Sequence, residues 1–334
     1  MVKFETLDPE IRGVLGKKVS ELGLRVEGSP VEAYVRQLYH ELDRRGLKKF
    51  RPVCYLTDEW GCPDQQPVLG IPFYLADPKL RKLEHAVDAL EDERQIMMYM
   101  RHEAGHVLNY AYRLYTTPEW RRLFGPFFRP YRDDYRPVPF SKNFVRHIEG
   151  WYAQKHPDED FAETFAVWLT PRSAWRRQYK GWPAIQKLRY VERVARAVAD
   201  VEPIVNTGEV DITPDDIGVT VEQFYQQAAE ERRARIDIAL DAHLGKIFLT
   251  RRRKESRPAA DIVNRYQTEL IDNITYWTGV QRPIVRGLVD SICRTCQRMK
   301  LWGELGEEPR YLVEVTALAT TLAMNFLTRG RFET

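Results

Sequence analysis

Residues 92–115 read DERQIMMYMRHEAGHVLNYAYRLY, a run without proline and with a single glycine, and they predict a helix. Ile96, Met97, Tyr99, Met100, Val107 and Leu108 spread apolar side chains nearly all round it, the pattern of a helix buried in a core. Within the run stands His102-Glu103-Ala104-Gly105-His106. Side chains four apart share a helical face about 6 Å from each other, so both imidazoles reach one ion at the usual zinc–nitrogen distance of about 2.0–2.1 Å. Glu103, one residue along, points away from such an ion yet can address a water bound to it. Zinc brings the pKa of its water to about 7, where a nearby carboxylate takes the proton and later passes it to a leaving amine. Histidines on a surface helix would need no partner, but two imidazoles in an apolar helix do. Gly105 costs about 1 kcal/mol relative to alanine in a helix and predicts a close neighbour at that point.

The third ligand has to come from elsewhere. A metzincin would need glycine where this chain has Asn109 and histidine where it has Tyr112, which excludes that class. The alternative is a glutamate on a second helix, and residues 158–166, DEDFAETFA, are the candidate. Glu159, Ala162, Glu163 and Ala166 share one helical face, beside an apolar face of Phe161, Phe165 and Trp168. Two carboxylates among alanines on a helix built for burial are costly unless paired. Glu159 as ligand and Glu163 as acceptor of a ligand histidine's N–H would supply the pairing; Glu163 is the rival for the ligand role. Acidic residues also favour first turns, which accounts for Asp158, Glu159 and Asp160 but poorly for Glu163.

HExxH followed by a later ExxxE helix is the arrangement of the gluzincins. HEAGH with EDFAETFA resembles bacterial zinc-binding metallopeptidases and is similar to the catalytic domain of the group that includes anthrax lethal factor. The resemblance covers roughly residues 102–190, including YAQKHPDEDFAETFAVWL at 152–169. It implies a zincin-like fold, one catalytic zinc and hydrolysis of a peptide bond. It also implies a role for Tyr152, seven residues before Glu159, in stabilising the oxyanion or protonating the leaving group; an aromatic at a helix–loop junction explains that residue as well. His147 and His156 are nearby and could touch a transition state, but a histidine so placed is more often simply a loop residue.

Outward from these motifs, residues 29–45 predict a helix with Val31, Val35, Leu38 and Leu42 on one face. Strands are expected at 52–57 and 68–75 around a turn at 59–66, then a helix within 79–90. From 116 to 147 the helical period fails: Pro118, Pro126, Pro130, Pro137 and Pro139 interrupt it, while Phe124, Phe127, Phe128, Tyr131, Tyr135, Phe140 and Phe144 crowd it. So aromatic a stretch predicts an ordered lid loop rather than a linker. Helices follow at 159–169 and 183–200, a boundary at 201–216, and further helices at 221–248, 259–278, 283–300 and 310–327. The expected fold class is α+β, a zincin-like domain over residues 1–205 with a small mixed sheet, followed by a helical C-terminal region over 206–334.

The chain has 334 residues and a net charge of +3, from 51 basic against 48 acidic side chains, a balance that predicts neither nucleic acid nor a membrane as partner. The first residues carry no secretory signal, and 313–327, interrupted by Glu314 and Asn325, predicts a core helix rather than a span. Cys54, Cys62, Cys293 and Cys296 predict reduced thiols in a cytoplasm. Cys293 and Cys296 form a CxxC inside an amphipathic helix, with no second pair to complete a zinc knuckle. The basic run 251–254, RRRK, reads as a solvated turn, and there is no glycine-rich phosphate loop and no GxSxG elbow. The expected partner is a peptide or protein substrate, with the C-terminal helices open to a protein partner. The competing expectations are a binding scaffold that works through those helices and an enzyme cutting a non-peptide amide.

Overall fold

The computed structural model describes residues 7–87, 91–131, 135, 137–234, 240–280, 282–329 and 332. Its contacts divide the chain into two units. The first comprises Met1–Arg132, Phe140–Ile148 and Tyr152–Gln227; the second comprises Asp133–Pro139, Glu149–Trp151 and Ala228–Thr334. The mixture of helices with small sheets is of the α+β class.

The first unit opens with α1 (Pro9–Leu15) and α2 (Val31–Arg44), followed by β1 (Val53–Thr57) and β2 (Val68–Pro72). The strands pair in parallel, Val53 with Val68 through Thr57 with Pro72. All five residues of β2 are buried. The second strand ends at Pro72, short of the expected 75, because Phe73–Ala76 tightens into a 3₁₀ turn that buries Phe73 and Leu75. Beyond it lie α3 (Pro78–Val87) and α4 (Glu93–Ala111). Asp92 and Gln95 cap the start of α4 reciprocally, a device worth about 1 kcal/mol. The helix stops at Ala111, since Arg113 adopts a left-handed conformation at φ +51°.

Part of the stretch expected to be loop is helical: α5 spans Pro118–Phe124. Pro118, read from sequence as a breaker, occupies its first turn, and the Thr117 hydroxyl caps it, positions where proline and threonine start helices. Trp120, Phe124 and Phe127 are buried in the core of this unit, whereas Phe128 is 77% exposed. Residues 132–134 and 136 of the same stretch lie outside the described residues. The unit continues through α6 (Pro157–Leu169), α7 (Trp175–Gln178) and α8 (Ile185–Ala197), and α9 (Val221–Ala234) runs across its boundary.

Three polar ties hold the two central helices in place. Arg101 of α4 makes a two-pronged pair with Glu41 of α2, at 2.6 and 2.8 Å, both side chains being buried. Arg45, at the end of α2, donates to the carbonyls of Trp168 and Thr170 at the C-terminus of α6. Lys187 of α8 reaches Asp160 of α6 at 2.5 Å.

The second unit holds α10 (Asp241–Ile247), β3 (Ser256–Pro258), α11 (Ala259–Arg265), α12 (Gln267–Thr278), α13 (Arg282–Arg298), β4 (Trp302–Glu304) and α14 (Glu308–Arg329). It is therefore not helical throughout: β3 and β4 pair antiparallel, Ser256 with Glu304 and Pro258 with Trp302. The helix expected over 259–278 is two, meeting at Tyr266. Of the helix expected over 221–248, residues 235–239 lie outside the described residues. Leu244, Ile262, Ile274, Leu288, Ile292 and Leu322 are fully buried in this unit's core, and Cys293 and Cys296 are buried with them. In the basic run, Arg252 lies over the Trp302 ring and Arg253 pairs with Glu304. Among the described residues, Glu308–Thr328 is long and apolar enough by composition to cross a membrane, with 28% of that window buried. Its buried residues, Tyr311, Val315, Ala319, Leu322 and Ala323, line one face and join the core.

Candidate metal centre

The centre forms where α4 meets α6. The close neighbour that Gly105 implied is Ala162, whose backbone leaves no room for a β-carbon at residue 105. Small residues on both helices bring the backbones together, so that side chains on either side of the contact converge: His102 and His106 from α4, Glu159 and Glu163 from α6. Helix α6 begins two residues before the expected 159, with Pro157 in the first turn and the His156 ring nitrogen Nδ1 accepting from the Asp158 amide. Every residue from Pro157 to Leu169 is buried.

His102 Nε2 lies 2.9 Å from Glu159 Oε2, His106 Nε2 lies 3.2 Å from the same oxygen, and the two nitrogens are 3.1 Å apart. A tetrahedral zinc site with bonds of about 2.0–2.1 Å has ligand–ligand edges of about 3.4 Å, so this triangle is close to one face of such a site. These three residues form a buried group that could hold a metal ion.

The second nitrogen of each ring faces a carboxylate. His102 Nδ1 is 2.9 Å from Glu163 Oε1, and His106 Nδ1 is 2.8 Å from Asp158 Oδ2. Such partners keep a proton on Nδ1 and present Nε2 as the electron-pair donor. Glu163 Oε2 accepts from the amides of His147 and Ile148, at 3.2 and 2.9 Å. Asp158 takes in addition the Asn109 amide at 2.7 Å and the Tyr110 hydroxyl at 2.5 Å.

The donor chemistry fits zinc, which favours two imidazoles and a carboxylate with a further position open. The charges call for a cation as well: Glu103, Asp158, Glu159 and Glu163 surround two imidazoles, all six side chains being buried. Burial would lower the His102 pKa, but the bonds to Glu159 and Glu163 and the Glu103 charge hold it up at about 9. Burial works the same way on His106, where the Asp158 and Glu159 charges lift it well above the usual range. Glu159, which burial would raise, is held well below the carboxylate range by the charge and hydrogen bonds of the two histidines. At Glu103 burial prevails and the pKa is raised, the two histidines opposing it.

The remaining sequence-derived candidates divide. The Tyr152 ring packs edge-on to His102, 5.6 Å between centroids. Its phenol holds its proton far above the usual range through burial and the nearby Glu159 charge. His147 and His156 are tied to backbone instead. The His147 Nε2 donates to the Met98 carbonyl at 2.9 Å, and burial lowers its pKa; the His156 Nε2 donates to the Arg129 carbonyl at 2.9 Å.

Two residues at the site escaped the sequence reading. Asp158 passes for an ordinary first-turn acid, and only its spacing of one before Glu159 hints at more. Tyr131, one of many aromatics in its stretch, places its hydroxyl 2.5 Å from Glu159 Oε1, and nothing local marks it.

No curated protein and no solved structure matches the chain. Residues 66–196, a span that includes His102, His106, Tyr152 and Glu159, match the model of a family described as "Putative zinc-binding metallo-peptidase".

Proposed function

We propose that the protein is a zinc-dependent peptidase of the gluzincin type. One zinc ion would sit on His102, His106 and Glu159, in a zincin-like fold formed by residues 1–205 and similar to the catalytic domain of the anthrax lethal factor group. The observation that carries this reading is the convergence of His102 Nε2, His106 Nε2 and Glu159 Oε2 within 3.2 Å of one another. Two imidazole nitrogens and one carboxylate oxygen at this spacing are the donor set that a single zinc ion takes.

When bound, zinc polarises the scissile carbonyl and lowers the pKa of its water to about 7. Glu103 is the general base. Its raised pKa brings it nearer the working pH, which favours taking the proton from the attacking water and returning it to the departing amine. Tyr152 keeps its hydroxyl protonated at neutral pH and donates a hydrogen bond to the oxygen that gains charge in the transition state. Glu163 and Asp158 fix the ring orientations of His102 and His106. The substrate is a peptide or protein, and residues 206–334 are the part that would receive a protein partner. Four free cysteines favour a reducing, cytoplasmic setting.

The Glu103→Gln variant tests the reading. It should keep one zinc per chain and lose about 10²–10⁴-fold in cleavage of a peptide library. Full cleavage by the variant would remove Glu103 from the mechanism. A biological activity unaffected by the substitution would favour the scaffold reading.

A further inference from the structure

Two tyrosines reach the metal centre. The Tyr131 hydroxyl donates to Oε1 of Glu159 at 2.5 Å, while Oε2 of the same carboxylate faces the two histidine nitrogens at 2.9 and 3.2 Å. The two oxygens thus have separate tasks. Tyr131 also lies 3.4 Å from the Tyr152 hydroxyl; because the Tyr131 proton is given to Glu159, Tyr152 is the donor in that contact. The Lys155 ammonium rests over both rings, at 4.4 Å from Tyr131 and 5.3 Å from Tyr152, and the His156 ring stands 5.3 Å from Tyr131. These contacts hold a half-exposed side chain over the first turn of α6.

A ligand carboxylate binds through one oxygen or through both, and hydrogen bonds to its second oxygen decide between the two. We infer that Tyr131 is a positioning residue that confines Glu159 to a single ligating oxygen, Oε2, and so keeps a coordination position open for water and substrate. The inference rests on the reading of Glu159 as a metal ligand. Without the phenol, Oε1 is free to turn inward and bind beside Oε2 as a fifth ligand, crowding the position that the substrate oxygen needs.

The test is the absorption spectrum of the full chain loaded with Co²⁺, whose visible bands weaken as coordination rises from four to five. Tyr131→Phe keeps the ring, hence the packing on Lys155 and His156, and removes only the hydroxyl; circular dichroism checks the fold. Its cobalt bands should weaken, those of Tyr131→Leu should weaken likewise, and those of Tyr152→Phe should match the wild type. Bands in Tyr131→Phe that superimpose on the wild type overturn the inference. If the wild type takes up no cobalt, or Glu159→Ala takes it up with undiminished affinity, the metal-centre reading fails and this inference falls with it. If the wild type binds one ion and only the Tyr131 variants fail to respond, the inference falls alone.

Discussion

Gly105 of α4 lies against Ala162 of α6 so closely that a β-carbon at residue 105 would fall 2.7 Å from the Ala162 Cα and 3.0 Å from its carbonyl oxygen. The contact sets the distance between the helix that carries both histidines and the helix that carries Glu159. Gly105→Ala gains about 1 kcal/mol of helix propensity but forces backbone apart, an overpacking cost of about 1–3 kcal/mol. The variant should be less stable in urea denaturation and bind zinc more weakly. A more stable protein with full zinc content would contradict the role given to this contact.

Asp158 holds His106 through Nδ1 while also accepting from Tyr110 and Asn109. Asp158→Asn keeps the shape and removes the charge. Zinc affinity, measured by competition with a chromophoric chelator, should fall about 10–100-fold with little change in far-UV circular dichroism. Equal affinity would show that His106 needs no such partner.

Metal removal should act on stability as well as on turnover, because the donors come from two helices and an ion that binds only the folded state stabilises it. At a free zinc concentration of 100 times Kd the gain is about 2.7 kcal/mol. Chelation should therefore lower the Tm. Zinc should restore it and magnesium should not, since magnesium prefers six oxygen ligands. An unchanged Tm on chelation would argue against a metal bridging α4 and α6.

The cysteines should be quiet in the native protein. Burial pushes both the Cys54 and the Cys296 thiols up to about 12, leaving little thiolate at pH 8. Alkylation at pH 8, followed by mass spectrometry, should label these two far more slowly in native protein than in urea. Rapid native labelling of Cys296 would reopen a redox role for the CxxC.

The helices of the centre were legible because their signals are local. The proline-free apolar run 92–115 marks α4, Gly105 reports a close approach, and alanines beside Glu159 and Glu163 betray a buried acidic face. The strands were legible from their apolar runs, apart from the 3₁₀ turn after Pro72. Misreadings came where one residue type has two uses. Proline both stops and starts helices, so Pro118 hid α5, while the division at Tyr266 has no glycine or proline to announce it. Asp158 and Tyr131 act through partners 52 and 28 residues distant in sequence, and no spacing rule reaches that far.

Glu163 divides its oxygens between His102 and the amides of His147 and Ile148. The chain at 147–148 therefore cannot open without unseating the carboxylate that orients His102. Hydrogen exchange at these two amides should slow when metal is bound and report the opening of the centre as one cooperative unit, rather than the fraying of a loop.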